Sequence, residues 1–414
     1  MPNIINMTNV IIGCGPAGTN AAERIRELEP ESHVVVITDE PHPFYVREHL
    51  NRLIDGSEPE DKLFERGKDF FDHIGVTLVH DRVIKVDTSS RAVRCASRSF
   101  TYDSLLIASG GKPRALGVPG ERLHGVTSLY TLEDARTLIG LLSEVKSAAI
   151  IGCGTTAMKM LPGFLQRETN VAVIERAPHV LPNLLDRAGA AIVEAELAGR
   201  NVLINTGSGI FRFEGKDGTL KAALLNDGTA LPVDAAIVTV GIAPSVDFLA
   251  GSGVIVDRGV VVDAALRTNV EGVFAAGDVA QTPDPVWNGS PRLHPGWSLA
   301  MEQGRLAAEG IAGKQTTSQG AIASNSLQAF DLGVTSIGVV HPEPGDEVFT
   351  RHEPDRRLYR KCIVRDGALV GCTVIDPGLP RKQVKKWLEK KLLVDNGRGV
   401  DIGAVLDGES EFFS

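Results

Sequence analysis

Cysteine is scarce in this chain and poorly spaced for chemistry of its own. The five that occur, Cys14, Cys95, Cys153, Cys362 and Cys372, include no CxxC pair and no four-cysteine pattern. The usual sequence signals for zinc or an iron–sulfur cluster are therefore missing, and no metal site is expected. Cys362 and Cys372 flank Asp366-Gly367, a two-residue hairpin turn that would pair Cys362 with Gly371 and set the thiols on opposite faces. No disulfide is expected there. Long apolar runs are missing too: nothing approaches the roughly 18 uninterrupted apolar residues of a membrane span. The N-terminus carries no charged segment leading into a signal-type apolar stretch, so the expectation is a cytoplasmic protein with no membrane span. Positive charge is in deficit, with a net charge of −9, which argues against general nucleic-acid binding.

What is present begins at Asn9-Val-Ile-Ile-Gly-Cys-Gly-Pro-Ala-Gly18. A short apolar run feeds Gly13, Gly15 and Gly18, with Pro16 and Ala17 between the last two, and a helix-prone segment follows from Thr19 to Leu28. Gly13 permits a tight turn, Gly15 lets backbone approach a pyrophosphate, and Gly18 allows close packing of helix on strand. The helix N-terminus offers its free N–H groups to the anion. The next strand, Val34 to Thr38, ends in Asp39-Glu40, roughly 20 residues beyond the glycines, where an acid would accept bonds from ribose hydroxyls. Cys14 sits at a variable position inside the glycine turn, as Cys153 does in a second one, and both read as small packing residues.

At 414 residues the chain should form two or three domains. Past the second strand, Arg47 lies in a mixed aromatic and basic segment, Pro43 to Leu50, where it could reach a phosphate, stack on a ring or make a surface salt bridge. Val76 to Val79, Arg82 to Val86 and Ala92 to Cys95 read as a small antiparallel meander. The apolar strand in Tyr102 to Pro113 then runs into Ala108, Ser109 and Gly110, small residues that let a ligand approach the strand end. An internal repeat of the opening motif follows: Ala148 to Ile151, then Gly152, Cys153, Gly154, Thr155, Thr156 and Ala157, then a strand ending at Glu175 and followed by Arg176. Two such units argue for two bound dinucleotides.

A further buried strand ends at Gly241, and another runs from Gly272 into Gly277 and Asp278, where Asp278 is placed to bond the ribityl hydroxyls of a flavin. The helix Trp297 to Ile311 comes after a proline-rich loop, Pro283 to Pro295, that is long enough to suggest a function. From Ser326 the chain becomes strand-rich, with strands over Leu327 to Leu332, Thr335 to Val340, Leu358 to Val364 and Ala368 to Ile375. It closes with a basic segment whose apolar stripe is Val384, Trp387, Leu388 and Leu392 and whose Arg381 to Lys391 stretch has six Lys or Arg against one Glu, then a tail with Phe412-Phe413.

The order of these motifs resembles the pyridine-nucleotide-dependent flavoprotein reductases that carry two dinucleotide folds, over essentially the whole chain. Gly13 to Gly18, Tyr102 to Pro113, Gly152 to Ala157 and Gly277-Asp278 match that family's FAD fingerprint, its Ala-Thr-Gly-like element, its NAD fingerprint and its terminal flavin element. Glu40 to Leu50 is most similar to the subgroup of rubredoxin reductases and the flavin portion of NADH-dependent nitrite reductase. The resemblance implies an α/β fold class: two Rossmann-like domains, one for FAD (1–118 and 248–325) and one for NAD (119–247), plus a smaller C-terminal α+β domain (326–414). It implies hydride transfer between NAD(H) and FAD, with electrons passing between the flavin and an external iron–sulfur protein or subunit.

Two departures shape that expectation. Members with a redox-active cysteine carry it on the helix after the second strand, and this chain has no cysteine between Cys14 and Cys95. Lys159 stands where many relatives have a glutamate, and Ala157 where the third glycine would be. No catalytic side chain is assigned. Direct reduction of oxygen or a quinone, and a nucleotide-binding subunit without catalysis, stand as alternatives, and the oligomeric state is open.

Overall fold

The computed structural model describes residues 7–377, 381–393, 397 and 399–408. By contacts the chain forms two compact units, one of residues 1–46, 61–112 and 243–322, the other of 47–60, 113–242 and 323–414. The first half runs β1 (Thr8–Ile12), α1 (Pro16–Leu28), β2 (His33–Thr38), β3 (Thr77–His80) and β4 (Ser104–Ile107). Its continuation is β5 (Val126–Ser128), β6 (Ser147–Ile151), α2 (Thr155–Leu165), β7 (Asn170–Glu175), β8 (Leu203–Thr206) and β9 (Ala235–Val238). The chain then forms β10 (Val273–Ala275), β11 (Ala280–Asp284), β12 (Ser290–Leu293) and α3 (Trp297–Ile311).

Each unit is centred on a parallel five-stranded sheet, ordered β10-β4-β1-β2-β3 in the first and β8-β7-β6-β9-β5 in the second. In both, the strand before the glycine turn is central, its successor lies on one side and a later strand on the other. Strands buried on both faces read as unbroken apolar runs, and Val10-Ile-Ile12 and Ala148-Ala-Ile-Ile151 do so. Val76 to Val79 proves to belong here rather than to the meander. Its strand, β3, pairs parallel with β2 through Val35↔Thr77 to Thr38↔His80, and the antiparallel sheet consists of Val83–Asp87, Ala92–Cys95 and Ser99–Thr101. The proline-rich stretch is also more ordered than its sequence suggests: β11 and β12 form a hairpin around a one-turn 3-10 helix, Pro285–Trp287.

The second unit also holds β13 (Ser324–Ala329), β14 (Leu332–Gly338), β15 (Glu347–Glu353), β16 (Leu358–Arg365), β17 (Ala368–Ile375) and α4 (Arg381–Leu393). Leu327 to Leu332 is therefore not one strand. Phe330 adopts φ 54° and turns the chain between β13 and β14. The five-stranded sheet shares one core with the second nucleotide fold, through Leu327, Leu332, Val334, Tyr359 and Ile375. Lys361 on β16 is buried, and its Nζ donates to Asp186 Oδ2 at 2.6 Å and to the Val340 carbonyl at 2.8 Å, while the Tyr359 hydroxyl donates to the same Asp186 oxygen. Burial works against the Asp186 charge, yet these hydrogen bonds hold its pKa below the ordinary carboxylate value.

The cysteine register departs from expectation. Cys362 faces Cys372, not Gly371, and their sulfurs are 3.8 Å apart as free thiols. The cause is a bulge: Val364 pairs with Leu369 but Ile363 with Gly371, so Val370 is an extra residue that shifts the register by one. In α4 the side chains of Val384 and Trp387 lie outside the described residues, as does Phe412-Phe413; Leu388 and Leu392 are buried, and Lys386 and Lys390 are exposed. Among the described residues no helix is long and apolar enough to cross a membrane.

Candidate functional site

The first glycine turn is built by contacts that only glycine permits. Gly13 adopts φ +111°, and a Cβ there would lie 2.2 Å from the Ala108 carbonyl oxygen at the end of β4. A Cβ on Gly18 would lie 1.9 Å from the Gly13 oxygen. Gly15 differs: it has φ −80°, which any residue adopts, and nothing lies within 4 Å of where its Cβ would be. Two glycines are thus required by the protein itself, and the third leaves space open at the N-terminus of α1. Pro16 opens that helix, where a missing N–H costs nothing, and no side chain caps it. Ala17 is buried against α3, whose Gly304 would place a Cβ 2.1 Å from the Ala17 carbonyl oxygen.

The other strand ends converge on the same crevice. The Ser109 hydroxyl donates to the Ser245 carbonyl at 2.8 Å, and Gly110, at φ +60°, accepts from the Ser245 N–H. Gly277 donates its N–H to Gln303 Oε1 at 2.8 Å, and Asp278 Oδ1 accepts from the Gly296 N–H at 3.1 Å. Gly13, Gly15, Ala108, Ser109, Gly110, Gly277 and Asp278 therefore gather at the carboxyl ends of β1, β4 and β10, beside the point where the strand order reverses. At the end of β2, Asp39 is exposed and Glu40 accepts from the Tyr45 hydroxyl at 2.7 Å. Arg47 belongs to the second unit, stacked 4.1 Å above the Tyr130 ring and donating to the Tyr130 carbonyl.

The second turn repeats the first. Gly152 has φ +92°, with a Cβ position 2.7 Å from the Thr239 carbonyl oxygen, while Gly154 has nothing within 4 Å. Thr155 and Thr156 begin α2, with Thr156 exposed, and Ala157 is fully buried. Glu175 closes β7 and grips the turn: Oε2 accepts from the Cys153 N–H and Oε1 from the Ala177 N–H, both at 2.8 Å. Arg176 is exposed, and Gly241, at φ +95°, has open space beside it. Burial pushes the Cys153 thiol up to about 12, which leaves it a packing group. Lys159 lies 3.5 Å from Glu48.

Thr239, Gln303 and Gly304 were not singled out from the sequence. Thr239 ties the second turn by donating to the Ile151 and Gly152 carbonyls, both at 3.0 Å. The small face Ala300, Gly304, Ala307 and Ala308, at i, i+4, i+7 and i+8, is the signal that would have found the close packing of α3 on α1.

Both turns fit a dinucleotide, because each leaves open the one glycine face that a pyrophosphate would fill and offers uncapped helix N–H groups to its charge. Residues 7–304 match the model of the pyridine nucleotide-disulphide oxidoreductases. The chain belongs to this family. Residues 324–409 match the C-terminal domain of rubredoxin NAD+ reductase. The chain is similar to a probable ferredoxin reductase, CtmF, of Castellaniella defragrans, at 28% identity over 95% of this chain and 96% of the relative. It is also similar to the epsilon subunit of NADH-dependent phenylglyoxylate dehydrogenase of Aromatoleum evansii, at 29% identity over 87% and 86%. A solved ferredoxin reductase for the CYP199A2 system from Rhodopseudomonas palustris superposes with a TM-score of 0.86, at 25% identity over 97% of this chain and 99% of that one. The protein is thus an NAD(P)H-dependent flavin oxidoreductase with FAD and NAD(H) as cofactors.

The geometry at Glu175 gives a first prediction. A carboxylate fixed at the lip of the second turn accepts a bond from a ribose 2′-hydroxyl and repels a 2′-phosphate. Flavin reduction at low cofactor concentration should be at least roughly tenfold faster with NADH than with NADPH. Comparable bleaching rates for the two would contradict it, with the exposed Arg176 as the group to suspect.

Proposed function

We propose that this protein exchanges electrons between NADH and an external iron–sulfur protein or subunit. The observation that carries this reading is the stretch from residue 15 to 94, which contains no cysteine, so that the segment after β2 presents no thiol to relay electrons. Cys95, Cys153, Cys362 and Cys372 are all buried, and burial pushes Cys95 up to about 11. Cys14, half-buried in the first glycine turn, is the remaining cysteine and has its sulfur 4.0 Å from the Thr19 hydroxyl, and on this reading electrons pass from the flavin to the partner directly.

The open face at Gly15 and the free N–H groups at the start of α1 would hold the FAD pyrophosphate, on a turn that Gly13 and Gly18 shape, and Asp278 would hold the ribityl chain. Gly152, Gly154 and Glu175 would hold NADH. When bound, FAD takes up an electron pair as hydride and can release it one electron at a time, which suits a one-electron partner. The chain's own part is to bind, orient and exclude water. Two of the relatives are named as ferredoxin reductases and one as a subunit of a larger dehydrogenase, which supports both a free reductase and an NAD-reducing flavin subunit. Identifying the proteins that co-purify with the native chain tests the reading. An iron–sulfur protein that accepts electrons from the NADH-reduced chain supports it, and steady NADH consumption in air by the chain alone would replace it with an oxidase.

The basic segment Arg381 to Lys391 is the docking face we assign to an acidic partner. Lys386 and Lys390 are exposed, and Lys385 is half-buried with its Nζ 3.8 Å from Glu389. Charge-steered docking weakens with salt. Changing all three lysines to glutamate should slow partner-linked turnover roughly five- to tenfold at low ionic strength and leave NADH-driven dye reduction unchanged. Equal loss in both assays would make the segment structural.

A further inference from the structure

Two titratable side chains in the first unit are buried against each other outside the nucleotide turns. Asp284, at the end of β11, accepts from the Val286 N–H through Oδ1 at 2.9 Å and so caps the 3-10 turn Pro285–Trp287. Its Oδ2 lies 3.1 Å from Nε2 of His294, close enough for an ion pair though outside hydrogen-bond geometry, and the two side chains are 2% and 7% exposed. Burying an imidazole and a carboxylate costs free energy that an apolar pair would not, so the contact calls for a role.

Its place in the chain suggests one. Only Pro295 and Gly296 separate His294 from α3, and Gly296 is the residue whose N–H is held by Asp278. The helix that follows has no capping side chain and no acidic residue in its first turn, so its leading N–H groups are left for a negative group. Trp297, its first residue, is steadied by the Phe44 ring at 5.8 Å. The entry to α3 is thus pinned by Asp278, by Phe44 and, through His294, by Asp284.

We propose that His294, held by Asp284, is a positioning residue that aims the first turn of α3 at the flavin, where those N–H groups favour the reduced, more negative form. The proposal rests on the reading that the Asp278 end of this unit holds the flavin. The midpoint potential reports the ratio of affinities for the reduced and oxidised forms, so a group that acts only through aim at the added charge moves the potential. A group that merely stabilises the fold weakens both forms alike and leaves the potential where it was.

The experiment uses the full chain loaded with FAD and measures oxidised-FAD affinity and midpoint potential in His294→Leu, His294→Gln and Asp284→Asn. His294→Leu should weaken binding of reduced FAD about tenfold more than oxidised FAD, a negative shift of about 30 mV for a two-electron couple. His294→Gln keeps a polar side chain facing Asp284 and should recover most of it. Asp284→Asn, nearly isosteric, should shift the potential in the same direction and guards against failure of His294→Leu to fold. An unmoved potential in both His294→Leu and Asp284→Asn, or a His294→Gln shift equal to that of His294→Leu, overturns the proposal. Retention of FAD by Gly15→Val would instead overturn the site assignment on which it rests.

Discussion

Purified Gly15→Val is expected to be colourless yet folded. The substitution is informative because a Cβ here meets no neighbouring segment: Gly15 has ordinary extended backbone, and beyond its chain neighbours nothing lies within 4 Å of the new Cβ. Valine is a poor helix N-cap, which costs about 1 kcal/mol of stability. The same change at Gly13 or Gly18 would drive a Cβ to 2.2 or 1.9 Å from a backbone oxygen and destroy the turn, so loss of flavin there would prove nothing. At Gly15 the space filled is the one proposed for the pyrophosphate. FAD affinity should fall by more than roughly 100-fold, and the apo wild type is the proper reference for thermal stability, since a bound cofactor itself stabilises the fold. Full flavin absorbance in a protein with wild-type circular dichroism would remove FAD from this turn.

What could be read in advance follows from where each signal originates. The parallel strands announce themselves because burial on both faces makes them continuous apolar runs, and the turns because Gly13 and Gly152 need positive φ that other residues resist. β3 was harder, since Thr77-Leu-Val-His80 is as short as its antiparallel neighbours and only its pairing with β2 distinguishes it. The C-terminal sheet hid its edge strand, Glu347–Glu353, because that strand is largely exposed and so reads as a polar linker. Its attachment to the second nucleotide fold was hidden for a related reason. Lys361 on a strand suggests a solvent-facing position, but its ammonium is buried on Asp186, a partner 175 residues away that no local pattern reveals. The bulge at Val370 likewise changes which thiols face each other without any marker in the flanking residues. At the candidate site, the glycines, Ser109, Glu175 and Asp278 were legible from motif spacing. The support was not: Gln303 accepts one hydrogen bond from turn backbone and Thr239 donates two to it, a role other polar residues in the right place can fill.

Gly154→Val should separate the two cofactors. Gly154 occupies the same place in the second turn as Gly15 in the first, with extended backbone at φ −92° and ψ −168° and open space where a Cβ would go. The variant should therefore fold, purify yellow and be bleached by a chemical reductant as readily as wild type. Its reaction with NADH should collapse: kcat/KM for flavin reduction is expected to fall at least roughly 100-fold, about 2.7 kcal/mol of lost transition-state stabilisation. The loss should appear largely in the concentration dependence, because displaced phosphates weaken binding before they disturb the ring. Rapid anaerobic mixing with NADH over a wide concentration range measures it. Paired with Gly15→Val, the outcome forms a double dissociation: one variant loses the flavin and with it every activity, the other keeps the flavin and loses only its reductant. Wild-type NADH kinetics in Gly154→Val would mean that NADH does not bind at this turn, and the repeat in the sequence would then be architectural.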